Sequence, residues 1–203
     1  MGIATVDPEP ALEPLYVEAE REHGHMCPGV VLGVRMAVTG MRALGVDPFA
    51  PSADLRVTVE TRRCATDALQ AATRTSLGRG SLAVRDLGKM AATFSLAGGT
   101  RAVRVLALDS SRDAADHLLP GVEGRHERQT GAYRVLADSE LFRVSQVELV
   151  EPARGHGKGA RARVRCTRCG EEFEASRGAP RASEPLCANC GGQPYYRAAP
   201  GAP

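Results

Sequence analysis

The stretch EHGHMCPGVVLGVRMA, residues 22–37, places two histidines and a cysteine within five residues and then runs directly into an apolar segment. Pro28 suits the first position of a helix, apolar residues recur at helical spacing up to Leu44, and Gly45 can end the helix. The pattern therefore predicts a buried helix over residues 28–44 whose start lies beside a cluster of candidate ligands.

The composition of the chain is that of a globular protein. Of its 203 residues, 43% are hydrophobic and 25% are charged. No apolar run approaches the length of about 20 residues that a membrane span needs, and the N-terminal segment is acidic where a signal peptide would be basic. We therefore expect a cytoplasmic protein without a membrane partner, whose six cysteines serve as metal ligands or reactive thiols rather than disulfides.

Charge and composition divide the chain into two domains. Residues 1–150 carry 17 Lys and Arg against 19 Asp and Glu, whereas residues 151–203 carry 9 against 5. The stretch EPARGHGKGA, residues 151–160, is typical of a linker. We predict a core domain over 1–150, a linker over 151–160 and a zinc-finger domain over 161–203.

Helical and strand periods alternate irregularly along the core domain. Besides the helix at 28–44, helices are predicted at 11–24, at 64–78 with Leu77 on its apolar stripe, and at 124–137. Strands are predicted at 55–61, near 82, 90 and 101, and at 142–150, with AGGT at 97–100 as a hairpin turn. Hairpin-linked strands without regular strand–helix alternation predict an α+β fold, with a mixed or antiparallel sheet and packed helices.

The most specific pattern in the chain is a pair of Cys-x-x-Cys motifs. Seventeen residues separate the two motifs, which consist of Cys166, Cys169, Cys187 and Cys190. Four thiolates at this spacing are the expected ligands of a structural Zn²⁺ in a treble clef or zinc ribbon. Gly170 and Gly191, which follow the motifs, are expected to supply the backbone freedom that such turns need. Free thiols or disulfides are the alternative.

Basic residues precede and flank the first Cys-x-x-Cys motif: Arg154, Lys158, Arg161, Arg163, Arg165 and Arg168. They suit a nucleic acid, an acidic protein or a solvated edge strand equally. Tyr195 and Tyr196 are the only aromatic candidates in the tail for stacking on bases. We therefore do not favour nucleic acid and interpret the tail as an interaction or structural module.

The core domain contains a second candidate metal site. Cys27 and Cys64 each lie at the predicted start of a helix, where a thiolate is favoured, and His23 and His25 lie beside Cys27. If the two helix starts are neighbours, Cys27, Cys64 and one of the two histidines could form a three-ligand site with one position left for water or a substrate. Zinc is the first choice for this site, with iron or nickel as alternatives. A buried structural cysteine with surface histidines is the alternative interpretation.

Two further residues could take part in chemistry at this site. Asp67 lies in the helix that follows Cys64, and Lys89 lies in a turn after a predicted strand. Either could move protons beside a metal, so we name Cys27, Cys64, Asp67 and Lys89 as catalytic candidates. Helix capping and surface pairing are the alternative roles for Asp67 and Lys89.

Two segments together resemble the FmdE family, which is named for the E subunit of formylmethanofuran dehydrogenase. HGHMCPGVVLGVRMA is similar to the opening His-Gly-His-x-Cys-Pro-Gly segment of that family, and ETRRCATDALQAATRTSLGRGSLAVRDLGKMAATF is similar to its second signature. The matching residues of the second segment are Cys64, Asp67, Gln70, Gly78, Gly80, Asp86, Gly88, Lys89 and Phe94. Some family members also carry a four-cysteine zinc finger after the core.

The resemblance implies an α+β core, a homodimer, and a metal site or reactive groove at His23, His25, Cys27 and Cys64. The family often has a further cysteine where this chain has Arg74, Thr75 and Ser76, so a reaction that needs that thiol is not expected here. Three functions stay open: an accessory metal-binding protein of a metalloenzyme, a metal-dependent enzyme with a small-molecule substrate, and a metal- or redox-sensing regulator that binds nucleic acid.

Overall fold

A computed structural model describes residues 10–153, 162–179 and 183–194. These residues separate into two units, which we call the core (residues 10–153) and the cysteine ribbon (residues 162–179 and 183–194). The core combines six helices with one five-stranded mixed sheet among the residues that are described. The predicted α+β class is therefore confirmed.

The helices of the core lie close to the predicted segments, with two additions. They are α1 (Glu13–His23), α2 (Pro28–Leu44), α3 (Ala65–Thr73), α4 (Ser111–Leu118), α5 (Arg125–Val135) and α6 (Asp138–Leu141). The helix predicted from the opening segment matches α2 at both ends. Both α4 and the short α6 were missing from the prediction.

The sheet of the core follows the predicted strands. Its strands are β1 (Leu55–Val59), β2 (Leu82–Val84), β3 (Ala91–Leu96), β4 (Arg101–Ala107) and β5 (Phe142–Glu148), in the spatial order β2-β1-β3-β4-β5. β1 and β2 are parallel and are joined through α3, whereas the other neighbours are antiparallel. The predicted AGGT hairpin connects β3 to β4.

Helix α2 is the central element of the core. Nearly every residue from Pro28 to Met41 is buried, because α2 packs against α3 on one side and the sheet on another. At Gly40 a Cβ atom would come within 2.3 Å of the Phe94 ring on β3, so only glycine allows this approach. A helix without a polar face is expected for an element that is covered all round.

Helix α3 is shorter than predicted. It ends at Thr73, and Arg74 takes a left-handed conformation with a φ of 53°. The Thr73 hydroxyl hydrogen-bonds to Thr75, and the Ser81 hydroxyl accepts from the Ser76 amide, so side chains replace the helical pattern of hydrogen bonds. The prediction that Leu77 lies on the buried stripe of this helix is therefore wrong, and Leu77 is 60% exposed.

The first residues of the predicted linker are still hydrogen-bonded to the core. The amide of Ala153 donates to the Gly99 carbonyl, and the amide of Gly98 donates to the Ala153 carbonyl, beside the β3–β4 turn. The rest of the predicted linker, residues 154–160, lies outside the described residues.

The cysteine ribbon contains β6 (Arg163–Arg165) and β7 (Glu172–Glu174), which form an antiparallel pair around the first Cys-x-x-Cys turn. An isolated bridge between Gly178 and Cys187 brings the second motif to this pair. Within the described parts of the chain, no helix has the length and apolar character needed to cross a membrane.

Candidate metal sites

Three candidate ligands of the core come together where α1 ends and α2 begins. One ligand atom each of His23, His25 and Cys27 lies within 4.8 Å of the other two. Gly24 makes this possible, since its φ of 94° ends α1 in the left-handed region and turns the chain back on itself. Cys27 then caps α2 in an extended conformation directly before Pro28. The predicted grouping of these three residues therefore exists in the structure.

His23 has one ring nitrogen occupied and one without a partner. Its Nδ1 lies 2.7 Å from a carboxylate oxygen of Asp67, the third residue of α3. Its Nε2 is buried and has no hydrogen-bond partner among the described residues. Buried polar nitrogens are nearly always paired, so an orphan atom within a His/Cys cluster indicates a missing ligand. A metal ion fits this place, because neutral imidazole nitrogen and thiolate sulfur are its preferred donors.

Cys64 lies beside this cluster but is not one of the three grouped ligands. Its thiol interacts electrostatically with Cys27, and its Sγ would be 3.6 Å from a Cβ atom at Gly29 in the first turn of α2. Burial raises the pKa of the Cys64 thiol, and the contact with Cys27 raises it further. The two predicted helix starts are therefore neighbours, with Cys64 next to Cys27.

Close packing of α2 against α3 produces this arrangement. A Cβ atom at Gly33 would lie 2.6 Å from Cβ of Ala68, and one at Gly29 would lie 2.9 Å from Cβ of Cys64. Only glycine at both positions lets the N-terminal turns of the two helices touch. As a result, α3 brings both Cys64 and Asp67 to the segment that carries the histidines.

Lys89 occupies a different environment. Its amide donates to the carbonyl of Glu60, and its charge lowers the pKa of the Glu60 carboxyl, although the hydrogen bonds from Arg104 lower it more. Among the described residues, no hydrogen bond or ion pair joins Lys89 to the His/Cys cluster. Its role as a proton carrier therefore stays a prediction.

Two buried polar arrangements were not predicted from the sequence. Arg35, in the middle of α2, donates to the carbonyls of Tyr133, Arg134 and Leu136 and to the carboxylate of Asp138. Glu60 accepts two hydrogen bonds from Arg104 across the sheet. The sequence signal for the Arg35 network was a single arginine within the apolar run 28–41. The Glu60–Arg104 pair depends on strand register, which the sequence does not reveal.

The four cysteines of the ribbon form the second candidate metal site. Their sulfur atoms all lie within 4.8 Å of one another, as four ligands of one tetrahedral ion require. Amide groups of the two turns hydrogen-bond to the sulfur of Cys166 and lower the pKa of its thiol to about 6. Burial and the neighbouring sulfurs raise the pKa of Cys190 to about 12. A divalent cation would remove the mutual repulsion of four thiolates.

The glycines after the two motifs differ in their roles. Gly170 has a φ of 78°, as expected for a residue that supplies backbone freedom. Gly191 does not have a positive φ; a Cβ atom there would come within 2.1 Å of Ala179, so this glycine allows a close approach instead. In the second motif it is Gly192 that has a positive φ, of 104°.

Three arginines of the ribbon are engaged with its own acceptors. Arg163 and Arg165 both pair with Glu172, and Arg168 donates to the carbonyl of Cys190. Their charge is therefore less available to phosphate groups than the sequence alone indicated. The remaining predicted basic residues, Arg154, Lys158 and Arg161, and the two tyrosines, Tyr195 and Tyr196, lie outside the described residues.

An open groove of about 1000 Å³ lies far from the His/Cys cluster, at the other end of α2. Leu44, Leu96 and Gln146 are among the residues that line it, and no histidine or cysteine does. Donor chemistry, and not the depth of a cavity, therefore identifies the candidate sites.

Comparisons with known proteins identify relatives of this chain. A protein of Archaeoglobus fulgidus described as a probable S-adenosyl-L-methionine-binding protein is 34% identical over an alignment of 215 residues, gaps included, that spans 94% of this chain and 56% of that protein. The chain thus spans about half the length of this relative.

The fold also matches a solved structure. A tungsten formylmethanofuran dehydrogenase FmdE-like protein from Syntrophus aciditrophicus superimposes with a TM-score of 0.64, over 91% of this chain and 94% of that one, at 24% identity. The family model described as FmdE, molybdenum formylmethanofuran dehydrogenase operon, matches residues 22–150, which is more than half of the chain. The chain therefore belongs to the FmdE family.

Proposed function

We propose that the core binds one divalent transition metal through His23, His25 and Cys27, and that the four cysteines of the ribbon bind a structural Zn²⁺. Mixed imidazole and thiolate donors suit zinc, iron and nickel. We propose zinc first for the core as well, with iron or nickel as alternatives. The buried, unpartnered Nε2 of His23 is the observation that carries this proposal.

The core site would keep an exchangeable position. Three protein ligands leave one place of a tetrahedron open, which is the usual arrangement where a metal acts on another molecule. His25 is exposed, so that place would be reachable from solvent. The ribbon, with four thiolates, would be closed. We therefore propose a metal-binding FmdE-family protein whose core metal takes an external ligand, in the role of an accessory protein to a metalloenzyme.

The same arrangement would also serve an enzyme in its own right. In that case the core metal would activate water or a substrate carbonyl, and Asp67 or Lys89 would be the candidate proton carrier. The relative from Archaeoglobus fulgidus is named for S-adenosyl-L-methionine, so this compound is the first ligand to titrate calorimetrically, with and without the core metal. Conversion of this compound to a product that depends on the core metal, beyond the heat of binding, would favour the enzymatic alternative.

A nucleic-acid-binding regulator is the weaker alternative, because Arg163, Arg165 and Arg168 interact with acceptors of the ribbon itself. We further propose a cytoplasmic homodimer. The dimer rests on the family resemblance, and the cytoplasmic location is supported by six cysteines that are all free thiols.

Elemental analysis of four purified proteins tests the two metal sites. We expect two metal ions per chain in the wild type and one in His25→Ala/Cys27→Ala, because each of the two donor groups would hold one ion. Cys169→Ala/Cys190→Ala should also retain one ion, and Cys64→Ala, the matched control, should retain two. A single zinc in both the wild type and the His25→Ala/Cys27→Ala variant would overturn the core site.

A further inference from the structure

We infer that Asp67 is a positioning residue, which holds His23 in the one tautomer and orientation that can bind the core metal, and is not itself a proton carrier. This inference rests on the proposed metal site. Asp67 would affect metal binding only through His23.

The hydrogen bond between the two residues fixes the tautomer. A carboxylate oxygen can only accept, so at 2.7 Å the Nδ1 atom of His23 must carry the hydrogen. In the neutral ring the lone pair then resides on Nε2, which is the buried atom without a partner. Metal-binding histidines generally donate their second nitrogen to a carboxylate or carbonyl in this way.

The exposure of the two side chains separates their roles. The His23 side chain is 14% exposed, whereas that of Asp67 is 52% exposed. The carboxylate therefore contacts the outer edge of the ring while Nε2 is buried. Asp67 contacts Nδ1, whereas the atom without a partner is Nε2, the other nitrogen of the same ring. The carboxylate therefore acts on the cluster through the imidazole.

The fold holds Asp67 in this place. Asp67 is in the first turn of α3, where the helix dipole favours a negative charge, and the Thr66 hydroxyl ties that turn to the carbonyl of Thr61. The glycine contacts at Gly29 and Gly33 press the same turn against α2. Both helices that frame the cluster thus fix the carboxylate relative to His23.

The direct test is the tautomer of His23 in the metal-free protein, read by two-bond ¹H–¹⁵N correlation at a pH where the ring is neutral. Wild type and Asp67→Asn should show hydrogen on Nδ1, because the Asn oxygen can still accept it. Asp67→Ala should lose this state, since nothing else holds the hydrogen at Nδ1. An unchanged tautomer in Asp67→Ala would overturn the inference.

Cobalt(II) titration supplies a second readout through the thiolate-to-metal absorption band. Asp67→Ala should bind the core ion about 10- to 100-fold more weakly, and Asp67→Asn should recover part of the loss. Asp113→Ala is the matched control, because Asp113 is also an exposed aspartate in the third position of a helix, α4, without a contact to the cluster. It should bind cobalt as the wild type does.

The outcomes separate this inference from the function on which it rests. If the wild type holds a core metal and Asp67→Ala binds it equally tightly, Asp67 does not position His23, while the metal site stands. If the wild type binds metal only in the ribbon, the proposed function falls, and the inference with it. An equal loss in Asp113→Ala would show that helix stability, and not His23, explains the effect, and would overturn the inference.

Discussion

Gly33 on α2 and Ala68 on α3 approach so closely that a Cβ atom at Gly33 would lie 2.6 Å from that of Ala68. This contact, with its neighbour at Gly29 and Cys64, brings two separate stretches of sequence to one place. It is the reason that residues 23–27 and residues 64–67 can share a site.

A methyl group at Gly33 should therefore disturb both stability and metal binding. We expect Gly33→Ala to lower the free energy of unfolding by about 1–3 kcal/mol, because the helices must move apart. The same movement should weaken cobalt binding at the core. Gly78→Ala is the control, since nothing lies within 4 Å of its Cβ position, and it should change stability by less than about 0.5 kcal/mol. Equal unfolding free energies of the two variants in urea would show that the contact at Gly33 does not limit how closely the helices pack.

Arg35 should be essential for the stability of the core. Its guanidinium donates to three carbonyls at the end of α5 and to Asp138, at distances from 2.6 to 3.0 Å. Arg35→Met removes the donor to the three carbonyls and leaves Asp138 with only the Thr39 hydroxyl, so we expect a loss of about 3 kcal/mol or more in unfolding free energy. Arg112→Met, at an exposed arginine, should cost little. A small effect of Arg35→Met in urea denaturation would contradict this expectation.

The Glu60–Arg104 pair should make stability depend on pH. Hydrogen bonds from Arg104 hold the pKa of Glu60 below its ordinary value, with burial acting in the opposite direction. The stabilisation is complete above the unfolded pKa of about 4.3 and is lost as the pH falls through the lower folded pKa.

Glu60→Gln tests this dependence. The variant should be less stable than the wild type at pH 7 but should lose less stability on acidification, as measured by urea unfolding across a pH series. Glu123→Gln, at an exposed carboxyl, should follow the wild type. Parallel curves for wild type and Glu60→Gln would mean that the pair does not stabilise the fold through its charge.

Removal of zinc should unfold the ribbon and spare the core. Cys166 is the only buried residue among those described in the ribbon, so metal binding must provide most of its folding free energy. After chelation, hydrogen exchange should accelerate at β6 and β7 and stay slow in α2. Added zinc should restore the protection. Unchanged protection in β6 and β7 after verified metal loss would show that the ribbon folds without metal.

Local patterns predicted the elements whose periodicity was uninterrupted. The apolar spacing and the flanking Pro28 and Gly45 defined α2 to the residue, because helix ends with such signals are the clearest in a sequence. Helix α3 was predicted too long, since its end depends on hydroxyl hydrogen bonds of Thr73 and Ser81 that no periodicity reveals. Helix α4 was missed because its sequence, SRDAADHL, is mostly polar.

The sequence predicted which residues form the candidate site, but it did not predict the hydrogen bond between Asp67 and His23. The spacing of His23, His25 and Cys27 reveals a ligand cluster, because the three donors lie within five consecutive residues. The pairing of Asp67 with His23 spans 44 residues and depends on how α3 packs against α2. Small residues at Gly29, Gly33 and Ala68 are the only local trace of that packing.

The most direct test of the core metal site is anomalous diffraction at the absorption edge of the metal from crystals of the metal-loaded protein. We predict a peak in the core about 2.1 Å from Nε2 of His23 and a ring nitrogen of His25 and about 2.3 Å from Sγ of Cys27, besides the peak among the four ribbon cysteines. A core without an anomalous peak, or a peak bound by Cys64 with no contact to His23, would contradict the proposed site.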